Sequence, residues 1–583
     1  MSATFSGSSH IIGPKWSRIP LLTTGVLGLQ IVWSVEMSYA SPYLISLGLT
    51  KSLMSLVFIA GPLSGLIMQP LVGSLADRST LRWGRRRPFI VAGTLVCVFG
   101  MMLLGFTRHF SNIFTSPLSH ANDVLTIILA TISIYLIDFS INAVQAMDRA
   151  LIVDTLPSGL QDLGNAWASR MIGIGHVLGF FIGGISLAQL PFLSVFGKTQ
   201  LQIFSVLTSF ILAATHAITV IAVREKRLLQ EPTSEGSRSV LKVFADLWTG
   251  VVTLHPIIRR ICIIQFFSWL AWFPILFLSS VYVGDFYRAE HSMAKVIRDV
   301  SDEIDDAANL RGARAMFFNS LLAMTTSIIA PWFISESDPE EPQTAAWYKP
   351  KIHIATLWAV SQFLFGICMA YTFFVRTWQE ATVVVALTGF SFAITQWAPF
   401  ALIGQVIHDN PAAVPVPNEP ETQALLQNSS SEGYPDETSR QVSPIRRRSA
   451  ERGSNDSRSR SRESRISERS GLDDGDVHKA GVVLGIHNVF VVIPQFVMTG
   501  ISSLVFAILE PGKGLEDPGA EVPGSSPGAL HALNVRVGPG GTRSDSLGII
   551  YRIGGVSAIA SGVLAFLLSR QLQRRSTLPA PTT

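Results

Sequence analysis

Residues 138–154 read Asp-Phe-Ser-Ile-Asn-Ala-Val-Gln-Ala-Met-Asp-Arg-Ala-Leu-Ile-Val-Asp, an ionisable stretch ending an apolar run. On a helix, Asp138, Asn142, Gln145 and Arg149 fall at i, i+4, i+7 and i+11 and share one face. A carboxyl, two amides and a guanidinium along one stripe suit a cavity that binds hydroxyl groups and moves a proton. Burial favours the neutral carboxyl, whereas a cation beside it favours the ionised form. Movement of Arg149 toward or away from Asp138 is therefore the expected proton switch. Asp148 and Asp154 fit a structural ion pair at the helix end equally well. A second acid, Glu36, lies deep in another apolar run, with Gln30, Trp33 and Met37 at helical spacing from it. Trp33 can stack on the apolar face of a sugar while Gln30 and Glu36 bond its hydroxyls. The plain alternative is a neutral Glu36 bonded to a neighbouring helix.

Three further runs offer aromatics beside single amides, the composition of a sugar cavity and also of ordinary helix packing. They carry Trp269 and Trp272 before Pro274, Gln396 and Trp397 before Pro399, and His487 with Asn488 between Gly485 and Pro494. A lone His487 reads as a structural, hydrogen-bonded residue. No phosphate-binding loop, nucleophile elbow or metal-ligand cluster is present in the sequence, which argues against an enzyme and implies no cofactor. Cys97, Cys262 and Cys368 all sit in apolar runs and imply packing rather than disulfides.

The elements that carry these residues must be membrane helices. The 583 residues are 48% hydrophobic and 15% charged, with mean hydropathy +0.38; a water-soluble domain has about 25% charged residues. A spanning helix needs about 20 mostly apolar residues. Such segments fall at 21–45, 53–75, 88–106, 123–146, 166–189, 199–223, 257–283, 313–334, 352–374, 381–407, 480–508 and 548–569. The first is too long for a signal-peptide core and is expected to act as an uncleaved signal. Even-numbered connections carry the basic residues, including Arg85 to Arg87, Arg224 to Arg227 and Lys349 with Lys351. The odd ones hold few, except 284–311, whose basic residues are diluted by acids. The expectation is an all-α membrane protein with both termini cytoplasmic. Two six-helix halves, 21–223 and 257–569, flank a polar linker, 224–256, with a short amphipathic helix near 239–250. Residues 1–20 and 570–583 are tails, and 509–547 is a Gly/Pro-rich external loop.

Residues 408–479 differ in kind. Pro-rich sequence gives way to a Ser/Arg-rich tract, which predicts disorder. Its Arg-Ser repeats superficially resemble splicing-factor tails, but a cytoplasmic regulatory loop open to kinases or anionic lipid is the expected role, with no nucleic-acid partner.

The hairpin Gly73-Ser-Leu-Ala-Asp77-Arg78, continuing to Arg82-Trp-Gly84-Arg85-Arg86-Arg87-Pro88, sits between two apolar runs. Its arginines are expected to anchor both helices at the lipid headgroups. The Gly73, Asp77, Arg78, Gly84, Arg85 and Arg86 pattern resembles the loop 2–3 signature of the major facilitator superfamily. The longer Arg-Trp-Gly-Arg-Arg-Arg-Pro-Phe form is similar to that of sucrose/H⁺ symporters in the glycoside–cation symporter branch. Matching pieces include Glu36 to Pro42, Gln69-Pro70, Asp138 to Asp154, Phe267-Ser-Trp269, Trp397 to Gly404 and Leu484 to Gln495. The resemblance implies twelve helices working by alternating access, with Asp138 as the proton-coupling carboxylate, Arg149 its partner and Arg311 a matching basic residue. Plant members carry Asp-Thr-Asp where Ser279-Ser280-Val281 stands here, and fungal relatives carry Glu where Gln405 stands. The implied activity is proton-coupled symport of a disaccharide or related glucoside across the plasma membrane. A monosaccharide carrier, an organellar exporter, or a non-transporting sensor signalling through 408–479 are the alternatives.

Overall fold

A computed structural model describes residues 4–117, 119–157, 160–230, 254–291, 301–334, 352–409, 474–510 and 545–577. The expected helix at 239–250, residues 410–473 of the polar segment and 511–544 of the eleventh connection lie outside the described residues.

Twelve helices are long and apolar enough to cross a membrane. They are α1 (Arg18–Ser46), α2 (Lys51–Asp77), α3 (Arg87–Gly105), α4 (His120–Thr155), α5 (Leu163–Gly183) and α6 (Gln200–Ala222), then α7 (Pro256–Glu290), α8 (Glu303–Phe333), α9 (Ile354–Tyr371), α10 (Trp378–Val406), α11 (Gly485–Leu509) and α12 (Ser546–Arg574). Local sequence explains several starts. Thr50 and Ser119 cap their helices by accepting from Leu53 and Asn122 N–H groups, and Thr199 with Gln202 forms a capping box. Pro256 occupies a first-turn position, where its missing N–H costs nothing.

The structure departs from the sequence reading around 284–311. Helix α7 continues to Glu290, and a helix resumes at Ser301. The acids there lower hydropathy, yet Ala, Glu and Arg are good helix formers. The fifth segment ends early, at Gly183, and 3₁₀ turns follow over Leu187–Gln189 and Pro191–Phe196.

Helix α1 packs on α5 and α6, α3 on α4 and α6, and α2 on α4. The same pairings recur six helices later: α7 on α11 and α12, α9 on α10 and α12, α8 on α10. Between the two sets, α2 meets α11, α8 meets α5, and the end of α1 meets α7. The chain start pairs antiparallel with the stretch after α6, Thr4–Ser6 against Arg227–Gln230 and His10–Ile11 against Val223–Arg224. The N-terminal strand therefore lies at the bundle end where α6 finishes, hereafter the near end. The opposite end holds the α1–α2 and α7–α8 turns.

All three cysteines are buried and free.

Candidate functional site

Helix α1 widens into one π-helical turn over Glu36–Ala40. Such turns expose backbone groups an α-helix would occupy, and here the Ser38 carbonyl accepts from Ser280 Oγ of α7 at 2.6 Å. Glu36 opens the turn and is 1% exposed; Asp138 of α4 is 0% exposed. The two carboxyls lie within reach of each other, and none of their four oxygens has a hydrogen-bond partner outside the pair among the described residues. Gly61 of α2 lies against Asp138: a Cβ there would stand 3.7 Å from its Oδ1. Two buried carboxyls together, with no cation among the described residues paired to either, cannot both ionise cheaply.

One turn along α4, Asn142 Nδ2 donates to Ser64 Oγ at 2.8 Å and to the Asp138 carbonyl at 3.0 Å. Gln69 of α2 donates to Asn142 Oδ1 at 3.4 Å. This amide and hydroxyl chain runs beside the carboxyl pair.

The expected Asp138–Arg149 pair is absent. Arg149 is exposed, Gln145 half-buried, and no carboxylate among the described residues pairs with the Arg149 guanidinium. The reason is geometric: eleven positions of an unbroken helix rise about 16 Å, and α4 runs from His120 to Thr155. One face is shared, but the ends of the stripe cannot meet. Asp148 instead faces His216 Nε2 of α6 at 3.2 Å, with both side chains 3% exposed, and His216 Nδ1 lies 3.0 Å from the Leu212 carbonyl. Asp154 binds Arg85 and Arg86, each at 2.9 Å.

Gln30 is buried, and its amide bonds the His176 ring of α5, so it is committed to a protein partner. His176 also lies 5.8 Å from the Phe392 ring of α10, linking the two helix sets. Sequence reasoning passed over His176 and His216, though an ionisable residue in an apolar run was the available signal. Trp33 and Trp269 are half-buried and pack on the main core cluster. Asn488 is half-buried and Gln396 exposed. Among the described residues no hydrogen bond ties Trp269, Gln396 or Asn488 to the α1–α4 group. His487 is 1% exposed and stacks edge-on to Phe400, 4.9 Å away. Arg311 lies over the Trp378 ring at 4.5 Å.

In the 73–90 hairpin Arg85, Arg86 and Arg87 are turned to protein groups, while Arg78 and Arg82 are exposed. Arg86 is 7% exposed, bonded to Asp77 at 2.6 Å as well as to Asp154. Burial opposes its charge, but Asp154 and Asp77 outweigh that and hold the guanidinium above its ordinary range. The Glu225 carboxylate accepts from the backbone N–H groups of Arg85, Arg86 and Arg87 at 2.6, 2.8 and 2.8 Å. Gly84 has φ +113°, and a Cβ there would stand 2.6 Å from Glu225 Oε2; only glycine suits both the conformation and the approach. Gly73 is half-buried, while Asp77 and Arg78 are exposed.

A twelve-span helical bundle with repeated pairings, a buried acid pair and this basic hairpin is the architecture of a secondary transporter. The sequence matches the Major Facilitator Superfamily over residues 22–414, and the chain belongs to that family as an integral multi-pass membrane protein. It is similar to the general alpha-glucoside permease of Schizosaccharomyces pombe, 35% identical over 454 residues, covering 66% of this chain and 79% of the permease. Sucrose transport protein SUT1 of Oryza sativa subsp. japonica is 25% identical over 437 residues, covering 66% of this chain and 76% of that protein. Sucrose transport protein SUC3 of Arabidopsis thaliana is 23% identical over 474 residues, covering 67% and 77%. The family and these relatives are membrane transporters rather than enzymes.

Proposed function

We propose that this protein carries a disaccharide or related α-glucoside across the plasma membrane together with a proton, by alternating access. The observation that carries the reading is the Glu36–Asp138 carboxyl pair, buried without hydrogen-bond partners outside the pair beside the Ser64–Asn142–Gln69 chain. The names of the similar permease and sucrose transporters support the substrate class.

A proton shared by the two carboxyls leaves one negative charge on the pair instead of two. Loss of the proton to the cytoplasm restores a repulsion between α1 and α4, next to the turn where α1 contacts α7. The charge state of the pair thereby biases the α1–α7 contact, and with it the exposure of the site. Asn142, Gln145, Trp33 and Trp269 supply the hydroxyl-bonding and stacking groups for the sugar, with Gln396 and Asn488 joining from the opposite helices when the site closes. Gln30 acts through His176. Arg149, exposed toward the near end, is a positive group on the proton's exit path rather than a direct partner of Asp138. The driving force is ample: one charge moving down the membrane potential yields about 2.3 kcal/mol per 100 mV.

Uptake of labelled sucrose and maltose by a sugar-transport-deficient yeast, at pH 5 and pH 7 with and without a protonophore, tests this reading. Acid-stimulated, protonophore-sensitive uptake is expected. Uptake indifferent to both conditions contradicts coupling, and none for any sugar despite surface expression favours a sensor acting through 408–479.

A further inference from the structure

Helices α1 and α5 approach backbone to backbone at two glycines. A Cβ on Gly175 would stand 2.7 Å from the Leu27 carbonyl oxygen, and one on Gly179 would stand 2.5 Å from Ser34 Oγ. A side chain at either place would push the helices apart, and small residues are what such close crossings use. The approach sets His176, which lies between the two glycines, against Gln30. The Gln30 amide donates from Nε2 to His176 Nε2, which places the ring proton on Nδ1. Nδ1 has no hydrogen-bond partner among the described residues, and the ring is half-buried.

The rest of the ring's surroundings are aromatic and come from both helix sets. Phe180 of α5 and Phe392 of α10 each lie 5.8 Å from it. Phe392 is 5.1 Å from Trp272 of α7, whose buried Nε1 also has no partner. A ring present only for packing gains nothing from an idle N–H, since an unmet donor costs free energy. Aromatic walls with a few placed donors are instead what a sugar site uses. The level of His176 in the bundle adds to this. Gln30 precedes Glu36 by six residues, about 9 Å along α1 toward the near end. On α4, which runs the other way, Gln145 follows Asp138 by seven residues, about 10 Å in the same direction. Gln30, His176 and Gln145 thus form one polar layer and the carboxyl pair another, with Trp33 and Asn142 between them. That separation admits two linked sugar rings end to end and leaves a single ring short of one layer.

We propose that His176, oriented by Gln30, donates its Nδ1–H to a hydroxyl of the sugar ring remote from the Glu36–Asp138 pair, and so selects two-ring substrates over one-ring ones. The proposal deepens the sugar-symport reading and rests on it. A monosaccharide held at the carboxyl pair reaches Trp33 but not His176, so the imidazole adds affinity only to the longer ligand.

The test is equilibrium binding of maltose, sucrose and glucose to the purified full chain, with acid-stimulated uptake measured beside it in proteoliposomes. His176→Asn keeps an amide donor near the place of Nδ1 and gives up the bond to Gln30, whereas His176→Gln does the reverse. His176→Asn should hold the disaccharide Kd within about threefold of wild type, and His176→Gln should raise it about tenfold, the worth of one hydrogen bond. Glucose affinity should change by less than about twofold in both, because that ligand never gains the bond. The opposite order, with His176→Gln near wild type and His176→Asn impaired, would assign His176 to holding α1 against α5 and overturn the proposal. Equal losses for glucose and the disaccharides would overturn it too, as general damage to the site. Should the His176 variants fail to fold, Gln30→Leu leaves the donor and removes its orienting group. It should raise the disaccharide Kd by about threefold with glucose unaffected, and an unchanged Kd would contradict the proposal. The predicted binding pattern without acid-stimulated uptake would remove symport and leave the recognition role standing. A wild type that bound no sugar would overturn both.

Discussion

The two ends of the bundle are held together in opposite ways. At the far end the bonds cross between the helix sets. Lys51 of α2 pairs with Asp285 of α7 at 3.0 Å and Glu510 after α11 at 3.3 Å, and Ser546 Oγ donates to the same Glu510. Ser41 Oγ donates to the Phe277 carbonyl at 2.6 Å, Ser52 to the Ser503 carbonyl at 3.0 Å, and Arg314 Nε to the Gly184 carbonyl at 2.8 Å. At the near end the Arg85–Arg86–Asp77–Asp154–Glu225 network is denser, yet all its members fall between residues 77 and 225, before α7 begins. Among the described residues no hydrogen bond or ion pair joins the sets there. A rocking machine needs this division: stiffness inside each set, and a latch between sets at one end at a time. The conformer seen is latched at the far end.

The largest change in the spacing of the two helix sets is expected from breaking the latch. Lys51→Ala takes the shared cation from Asp285 and Glu510, 23% and 17% exposed, while Asp285 keeps Arg288 at 3.2 Å. Stranding fully buried charges costs about 3–5 kcal/mol, and partial exposure together with Arg288 reduces that here to about 1–2 kcal/mol. Spin labels at the exposed Leu53 of α2 and Ile508 of α11 should report a longer, broader distance in the variant, with Lys51→Arg close to wild type. An unchanged distribution would remove Lys51 from the gate.

The near-end counterpart should behave differently. Arg86→Ala removes bonds to Asp77 and Asp154 within one helix set, so thermal unfolding should show a loss of about 1–3 kcal/mol. The Leu53–Ile508 distance should stay put. If Arg86→Ala opened the far end as Lys51→Ala does, the contrast between ends would fail.

A smaller effect is expected at His353, outside the spans, which caps α9 by accepting from the Ala355 N–H at 3.1 Å. Burial lowers its pKa from 6.5. A lowered folded value means the cap contributes fully above about pH 6.5 and is lost as pH falls through the folded value. Melting between pH 7.5 and pH 5 should therefore show up to about 1 kcal/mol of acid sensitivity that His353→Asn lacks. Identical acid sensitivity in the variant would assign it elsewhere.

The membrane helices were legible because hydrocarbon forces each span to declare itself as an apolar run. The region around Ser301 to Arg311 escaped because its charges break the run without breaking the helix. Among site residues, sequence spacing located Glu36 and Asp138 as buried acids but not their proximity, which depends on how α1 lies against α4. Periodicity grouped Asp138 with Arg149 on one face, and face alone says nothing of the axial distance that keeps them apart. The hairpin arginines were visible, but their partner Glu225 lies about 140 residues on, beyond any local pattern.

The most direct test of the central claim is sugar accumulation against sugar exchange in Asp138→Asn and Glu36→Gln, measured in energised and de-energised proteoliposomes. If the carboxyl pair carries the coupling proton, both variants should lose accumulation above equilibrium by at least about tenfold. Exchange of labelled for unlabelled sugar should continue. Full accumulation by Asp138→Asn, with sugar-induced proton uptake intact, would contradict the account.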